Sequence, residues 1–306
     1  MRLGDFRNHA VVEWLFYGNY FYGCCAVALS MEASLQQGYP LNDWLYYAMV
    51  FLCTTLFYTY PYVRRRPLPG QNARSNWYAR HFNRAKISQV LLTVLVLCGL
   101  VYYAVTEGQM LLDLPLRQWL WPMIFPLVGF LYYGFTWLYG EYNLRRIGWL
   151  KPFLIGFTWA GWVTVYPVWS LVTENGEQYV PTLIAAFLFV KNFMFVTLLC
   201  VMFDVKDYAS DHKSRVRTFV VRLGLRRTIF YVLLPLSVLG LGSYVTYGIV
   251  RHFHFMRIVL NIIPFVLLLW MAWSLRKRRS LLYYLVWVDG LMVVKAVCGI
   301  LGMLYF

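Results

Sequence analysis

The stretch LIAAFLFVKNFMFVTLLCVMFDVKDYASD, residues 183–211, sets an apolar run directly against three aspartates, Asp204, Asp207 and Asp211. The run is long enough to cross the ~30 Å hydrocarbon core of a bilayer as a helix. The aspartates stand at i, i+3 and i+7, and at ~100° per residue they share one helical face. Carboxylates crowded on one face resist joint ionisation unless a cation lies between them. At a membrane boundary this pattern points to a bound metal.

The rest of the chain fits a membrane reading. Of 306 residues, 60% are hydrophobic and only 13% are charged, too apolar for a soluble domain of this length. Further runs of about twenty residues lack polar faces. The expectation is an all-α polytopic membrane protein forming one domain over 1–306. Its expected spans are 11–31, 42–62, 87–106, 118–139, 152–172, 180–203, 228–250, 257–275 and 281–304. The start resembles a signal peptide, with Arg2 and Arg7 before an apolar stretch and Ala26-Val27-Ala28 like a cleavage site. Glu13, Asn19 and the aromatic residues between Trp14 and Tyr22 make a poor signal core, so a retained first helix is expected.

The formal net charge of +15 is one-sided. Apart from Arg117, Lys191, Arg251, Arg257 and Lys295, every Lys and Arg falls at the N-terminus or after the second, fourth, sixth or eighth span. The positive-inside bias then places the N-terminus in the cytoplasm and the C-terminus outside. A bacterial inner membrane is consistent with that topology. Topology and attraction to anionic membrane lipids account for the positive charge, so nucleic acid is excluded as a partner. The cysteines at 24, 25, 53, 98, 200 and 298 sit in apolar runs without a CxxC pair and read as buried hydrophobes. The histidines show no metal-ligand spacing, and there is no Gly-rich phosphate loop or zinc signature.

Asp204-x-x-Asp207-x-x-x-Asp211, followed by Arg215-Val216-Arg217-Thr218 and Leu223-Gly224, resembles the second aspartate-rich motif of UbiA-type intramembrane prenyltransferases. Where that family has a Gly-Ile-Arg-Thr-like turn, Arg215 occupies the Gly position. Arg145-Arg146 before Leu150-Lys151-Pro152 resembles the family's basic pair after helix 4, although Glu141 stands where a tyrosine is expected, with Tyr142 beside it. The first aspartate motif is absent. Ahead of Arg66-Pro67-Leu68, the second span ends Leu56-Phe57-Tyr58-Thr59-Tyr60-Pro61-Tyr62 without a carboxylate, and Thr55 and Thr59 stand at expected Asp positions.

The resemblance implies nine helices around a central cavity. It also implies transfer of a prenyl group from a polyprenyl diphosphate to an acceptor, in that family often an aromatic ring, at a cytoplasm-facing Mg²⁺ site. The leaving diphosphate needs metal and fixed cations. Asp204, Asp207 and Asp211 are the candidate metal ligands. Arg64, Arg65, Arg66, Arg145, Arg146, Arg215 and Arg217 are the candidate diphosphate contacts. With half the family's metal cage missing, a non-catalytic lipid-binding or lipid-transporting relative is the alternative. A solvated acidic face is the plain reading of the triad. Against it, a helix ending near residue 203 would place these acids at its C-terminus, where the helix dipole disfavours them.

Charges inside the membrane are costly and mark candidate functional positions. Lys191 lies ~18 Å deeper than the aspartates along its helix. Asp289 and Lys295 lie in the last span. The expectation is an ion pair of Asp289 with Lys191 or Lys295, or a polar lining for the cavity. Glu32, near the outer end of the first span, is expected to reach water.

Overall fold

The structure is a computed structural model. It describes residues 10–64, 66, 73–133, 147–213, 217–277 and 279–306, and of 133 and 209–213 the backbone alone. Arg65, Arg145, Arg146, Arg215 and the side chain of Asp211 lie outside the described residues.

The described chain is helical, and no β-strand occurs in it. Its first half holds α1 (Ala10–Tyr17), α2 (Tyr20–Gln36), α3 (Trp44–Arg64), α4 (Ala73–Arg80), α5 (Phe82–Thr106), α6 (Gly108–Asp113) and α7 (Leu116–Tyr133). Then come α8 (Lys151–Thr164), α9 (Tyr166–Glu174), α10 (Leu183–Lys213) and α11 (Phe219–Thr228). A wide π turn, Ile229–Leu233, leads into α12 (Leu234–Val250), and α13 (Phe255–Ser274) comes next. The last helix opens as α14 (Leu281–Tyr283), widens into a π turn at Tyr284–Val288, and continues as α15 (Gly290–Leu304).

Among the described residues, five stretches are long and apolar enough to cross a membrane: Phe82–Thr106, Leu183–Tyr208, Phe219–Val250, Phe255–Ser274 and Leu281–Leu304. Their outward faces carry apolar side chains such as Ile87, Val90, Leu91 and Val94 on α5, as lipid-facing helices require. The chain is an integral membrane protein. Two of the expected spans are each built from two helices. The first breaks at Gly18-Asn19, where Asn19 takes the left-handed conformation at φ 66°. The fifth breaks at Val165, just ahead of Pro167, where a proline opens the next helix.

The bundle packs tightly at small residues. α10 lies against α8 and α12, and α2 lies between α3 and α15. A Cβ on Gly156 of α8 would come within 2.2 Å of Thr197 Oγ1 on α10, so only glycine permits that approach. Gly299 of α15 plays the same part against α2, where a Cβ would come within 2.5 Å of Glu32.

α10 does not stop near residue 203 as its hydropathy suggests. It runs on to Lys213, so Asp204 lies more than two turns from its C-terminus. A helix-dipole penalty falls off within the last turn and does not reach Asp204. Helicity continues past the membrane boundary because hydrogen bonding, not hydropathy, sets a helix's length.

Candidate functional site: an aromatic cavity between α8, α10 and α15

The site grows from helical stripes. On α8, Lys151, Ile155 and Trp159 repeat every four residues and face one way. On α10, Val196, Leu199, Cys200 and Phe203 form a matching stripe. Tyr22 of α2, Tyr58 of α3, and Asp289 and Met292 of the last helix close a cavity of about 140 Å³ between them. An apolar cavity of roughly 150 Å³ admits benzene, so this one has room for a single ring or a five-carbon unit.

Four aromatic rings, of Tyr22, Tyr58, Trp159 and Phe203, stand among its aliphatic residues. Tyr22 and Tyr58 stack with ring centroids 4.4 Å apart, and the Trp159 indole N–H donates to the Tyr58 hydroxyl at 2.6 Å. Two ionisable groups interrupt the wall. Lys151 opens α8, where the helix dipole opposes a cation, and the Asp204 carboxylate of α10 offsets this at 3.1 Å. Asp204 is fully buried (0% exposed). Asp289 contributes the second ionisable group, and its Oδ2 accepts a hydrogen bond from the Tyr22 hydroxyl at 2.6 Å.

The segments that carry the motif meet at this end of the bundle. A Cβ on Gly148 would sit 2.7 Å from the Arg217 carbonyl carbon, so the turn before α8 lies directly on the turn before α11. Thr218 caps α11 by accepting from Val221 N–H at 3.4 Å. Gly224 adopts φ +75°, a left-handed conformation that favours glycine.

The expected site residues separate into groups. Asp204 lies beside the cavity, bonded to Lys151. Asp207, one turn on, is 41% exposed and pairs with its neighbour Lys206 at 3.0 Å. Arg64, Arg66 and Arg217 are exposed and do not line the cavity, and Arg66 donates to the Ala79 carbonyl at 3.0 Å. Thr55 and Thr59 are buried on α3, and Thr59 is used at the α1–α2 break, donating to the Gly18 carbonyl at 3.2 Å. Among the described residues no three His, Cys, Asp or Glu side chains converge as a metal cage. The donors present fit Mg²⁺ in kind, as hard carboxylate oxygens on one helical face, but Asp204 and Asp207 each already have a lysine against them.

The intramembrane charges depart from expectation. Asp289 pairs with neither Lys191 nor Lys295. Both lysines converge on Glu32, which is buried (1% exposed) instead of reaching water. The reason is geometric. Asp289 and Lys295 are six residues apart, ~120° out of phase, so they face different neighbours. α2 and the last helix run parallel, so Tyr22 meets Asp289 while Glu32, about three turns further on, meets Lys295 and Gly299. Lys191 also donates to Gln36 Oε1 at 2.7 Å and Asn261 Oδ1 at 2.9 Å, and lies over the Tyr244 ring at 4.3 Å.

Sequence reasoning missed Lys151, Tyr22, Tyr58 and Trp159 as site residues. The i, i+4 stripe 151–155–159 was a visible signal, but nothing local distinguishes it from ordinary core.

A helical membrane bundle with a polar-ended aromatic cavity defines the class of protein, and comparison with known proteins gives that class a particular fold. The chain matches a solved structure of digeranylgeranylglyceryl phosphate synthase, described in a study of that enzyme in membranes, over 97% of its own length and 99% of the other chain. The TM-score is 0.54 at 14% identity, so the likeness is one of fold. The UbiA-type fold implied by the aspartate motif is therefore present. No protein-family model matches the sequence, and no curated protein does.

Proposed function

We propose that this chain is a UbiA-like membrane prenyltransferase that moves a prenyl group from a polyprenyl diphosphate to an acceptor at the α8–α10–α15 cavity. The observation that carries this reading is an aromatic cavity ending in the Lys151–Asp204 pair, inside a fold shared along the whole chain with a prenyl-lipid synthase. The single domain spans 1–306, with nine crossings around the cavity. The N-terminus lies in the cytoplasm and the C-terminus outside, in a bacterial inner membrane.

The roles derive from charge and shape. The diphosphate lies at the cytoplasmic end, where Lys151 meets it, and Arg64, Arg65, Arg66, Arg145, Arg146, Arg215 and Arg217 remain the candidate contacts from the sequence, with Arg64, Arg66 and Arg217 standing outside the cavity wall. Mg²⁺, when bound by Asp204, Asp207 and Asp211, would supply further charge neutralisation to the leaving group. The prenyl unit enters the apolar space, where the faces of Tyr22, Tyr58, Trp159 and Phe203 stabilise positive charge developing at its allylic carbon.

A single-turnover assay with a radiolabelled prenyl diphosphate tests this. Transfer that requires magnesium and falls at least ~100-fold in Asp207→Asn and Asp211→Asn is expected. Binding and transfer that ignore both magnesium and these changes would sink the proposal. Tight binding without turnover would instead support the non-catalytic lipid-binding alternative.

A further inference from the structure

Asp289 is a buried carboxylate (3% exposed) in the cavity wall, within a membrane-spanning helix. Such a group normally has a cation beside it, because an unpaired buried charge is expensive. Among the described residues none forms an ion pair with it. The nearby lysines are engaged elsewhere, Lys151 with Asp204 and both Lys191 and Lys295 with Glu32. Its hydrogen bond comes from the Tyr22 hydroxyl, itself part of the cavity wall.

The helix is built unusually where this residue begins its next turn. Through Tyr284–Val288 it widens into a π turn, and Asp289 N–H bonds back five residues to the Tyr284 carbonyl at 3.0 Å. The extra residue in the turn rotates the helix after it by ~100° relative to the helix before it. Such turns cost helix stability and recur at functional sites. Here the turn separates the face of Tyr284 and Leu285, which joins the core, from Asp289, which lines the cavity.

We propose that Asp289, oriented by Tyr22, accepts the proton released by the acceptor during prenyl transfer, and that it selects a neutral, hydroxyl-bearing acceptor. This rests on the transferase reading. A carboxylate without an ion pair attracts a hydrogen-bond donor and disfavours a second carboxylate beside it, so a neutral hydroxyl is the acceptor group this end of the cavity prefers. In the step, the C1–O bond to the diphosphate breaks and its electron pair leaves with the diphosphate. The acceptor oxygen bonds to C1, and its O–H proton passes to the Asp289 carboxylate. The titratable and charged groups around Asp289 are Tyr22 and Cys25 on α2, Tyr58 on α3, Arg74 on α4, Lys151 on α8, and Cys200 and Lys206 on α10.

The test uses the full-length protein in lipid nanodiscs, with a phenol and a monoacylglycerol as acceptor probes. For Asp289→Asn, prenyl diphosphate affinity is expected within twofold of the unsubstituted protein, while kcat for transfer falls ~100-fold or more. The acid limb of the kcat/KM profile disappears, Asp289→Glu recovers at least tenfold of the rate, and Tyr22→Phe lowers kcat with KM held. Transfer by Asp289→Asn within fivefold of the unsubstituted rate, with its acid limb intact, overturns the proposal and leaves the transferase reading standing. An unsubstituted protein that binds prenyl diphosphate but transfers to neither probe overturns both. Should Asp289→Asn unfold, Asp289→Glu and Tyr22→Phe decide by the same kcat and pH readouts.

Discussion

Glu32→Gln is the sharpest test of how the bundle is held together. The Glu32 carboxylate lies fully inside the protein and takes Lys191 on one oxygen, at 3.2 Å, and Lys295 on the other. It thereby joins α2, α10 and α15, segments separated by 159 and 263 residues. Removing one partner of a buried ion pair costs ~3–5 kcal/mol, because the other charge stays buried alone. The two lysines do not suffer equally. Lys191 keeps Gln36, Asn261 and the Tyr244 ring. Lys295 has Glu32 as its hydrogen-bond partner among the described residues. The loss therefore amounts to about one pair, ~3–5 kcal/mol. At a few degrees per kcal/mol, a thermal melt of the purified protein in detergent should fall by roughly 10 °C. The double variant Glu32→Gln/Lys295→Met removes the stranded ammonium and should recover all but ~1–2 kcal/mol. A single variant as stable as the unsubstituted protein, or a double variant as unstable as the single, would refute the reasoning.

Lys151→Met should weaken prenyl diphosphate binding ~10-fold, about 1.4 kcal/mol, in an equilibrium titration, and Lys151→Arg should retain most of the affinity. Unchanged binding in Lys151→Met would remove this lysine from the diphosphate site. At the opposite end of the bundle, burial and then the charges of Glu174 and Asp43 push the Glu107 carboxyl above its usual range, while burial and Asp43 raise Glu174. A carboxyl raised on folding binds more protons folded than unfolded, so stability is highest below the unfolded pKa and declines as pH rises through the folded value. Melting temperature followed from pH 4 upward should therefore decline less steeply in Glu107→Gln and Glu174→Gln. A slope identical to that of the unsubstituted protein would count against this.

Much of the architecture was legible in the residue order. Hydropathy and helical period are local properties, so the apolar runs located helices and the spacing of Asp204, Asp207 and Asp211 put them on one face. Thr218 and Gly224 could be read in the motif because a cap and a left-handed turn are also local requirements. The end of α10 was misplaced because hydropathy marks the membrane boundary, and this helix outruns it by more than two turns.

The partners were not legible. Asp289 looked available to either lysine, and Glu32 looked close enough to an end to reach water. Which charges meet depends on the phase of each helix and on which helices lie side by side, and close approaches such as those at Gly156 and Gly299 set both. The sequence by itself determined an all-helical membrane chain carrying an aspartate face. Only the packing decided that Lys151 reaches across 53 residues to Asp204, that Glu32 gathers two lysines, and that Tyr22 finds Asp289 at a separation of 267 residues. Such pairings arise from three-dimensional proximity between distant segments, for which local periodicity carries no signal.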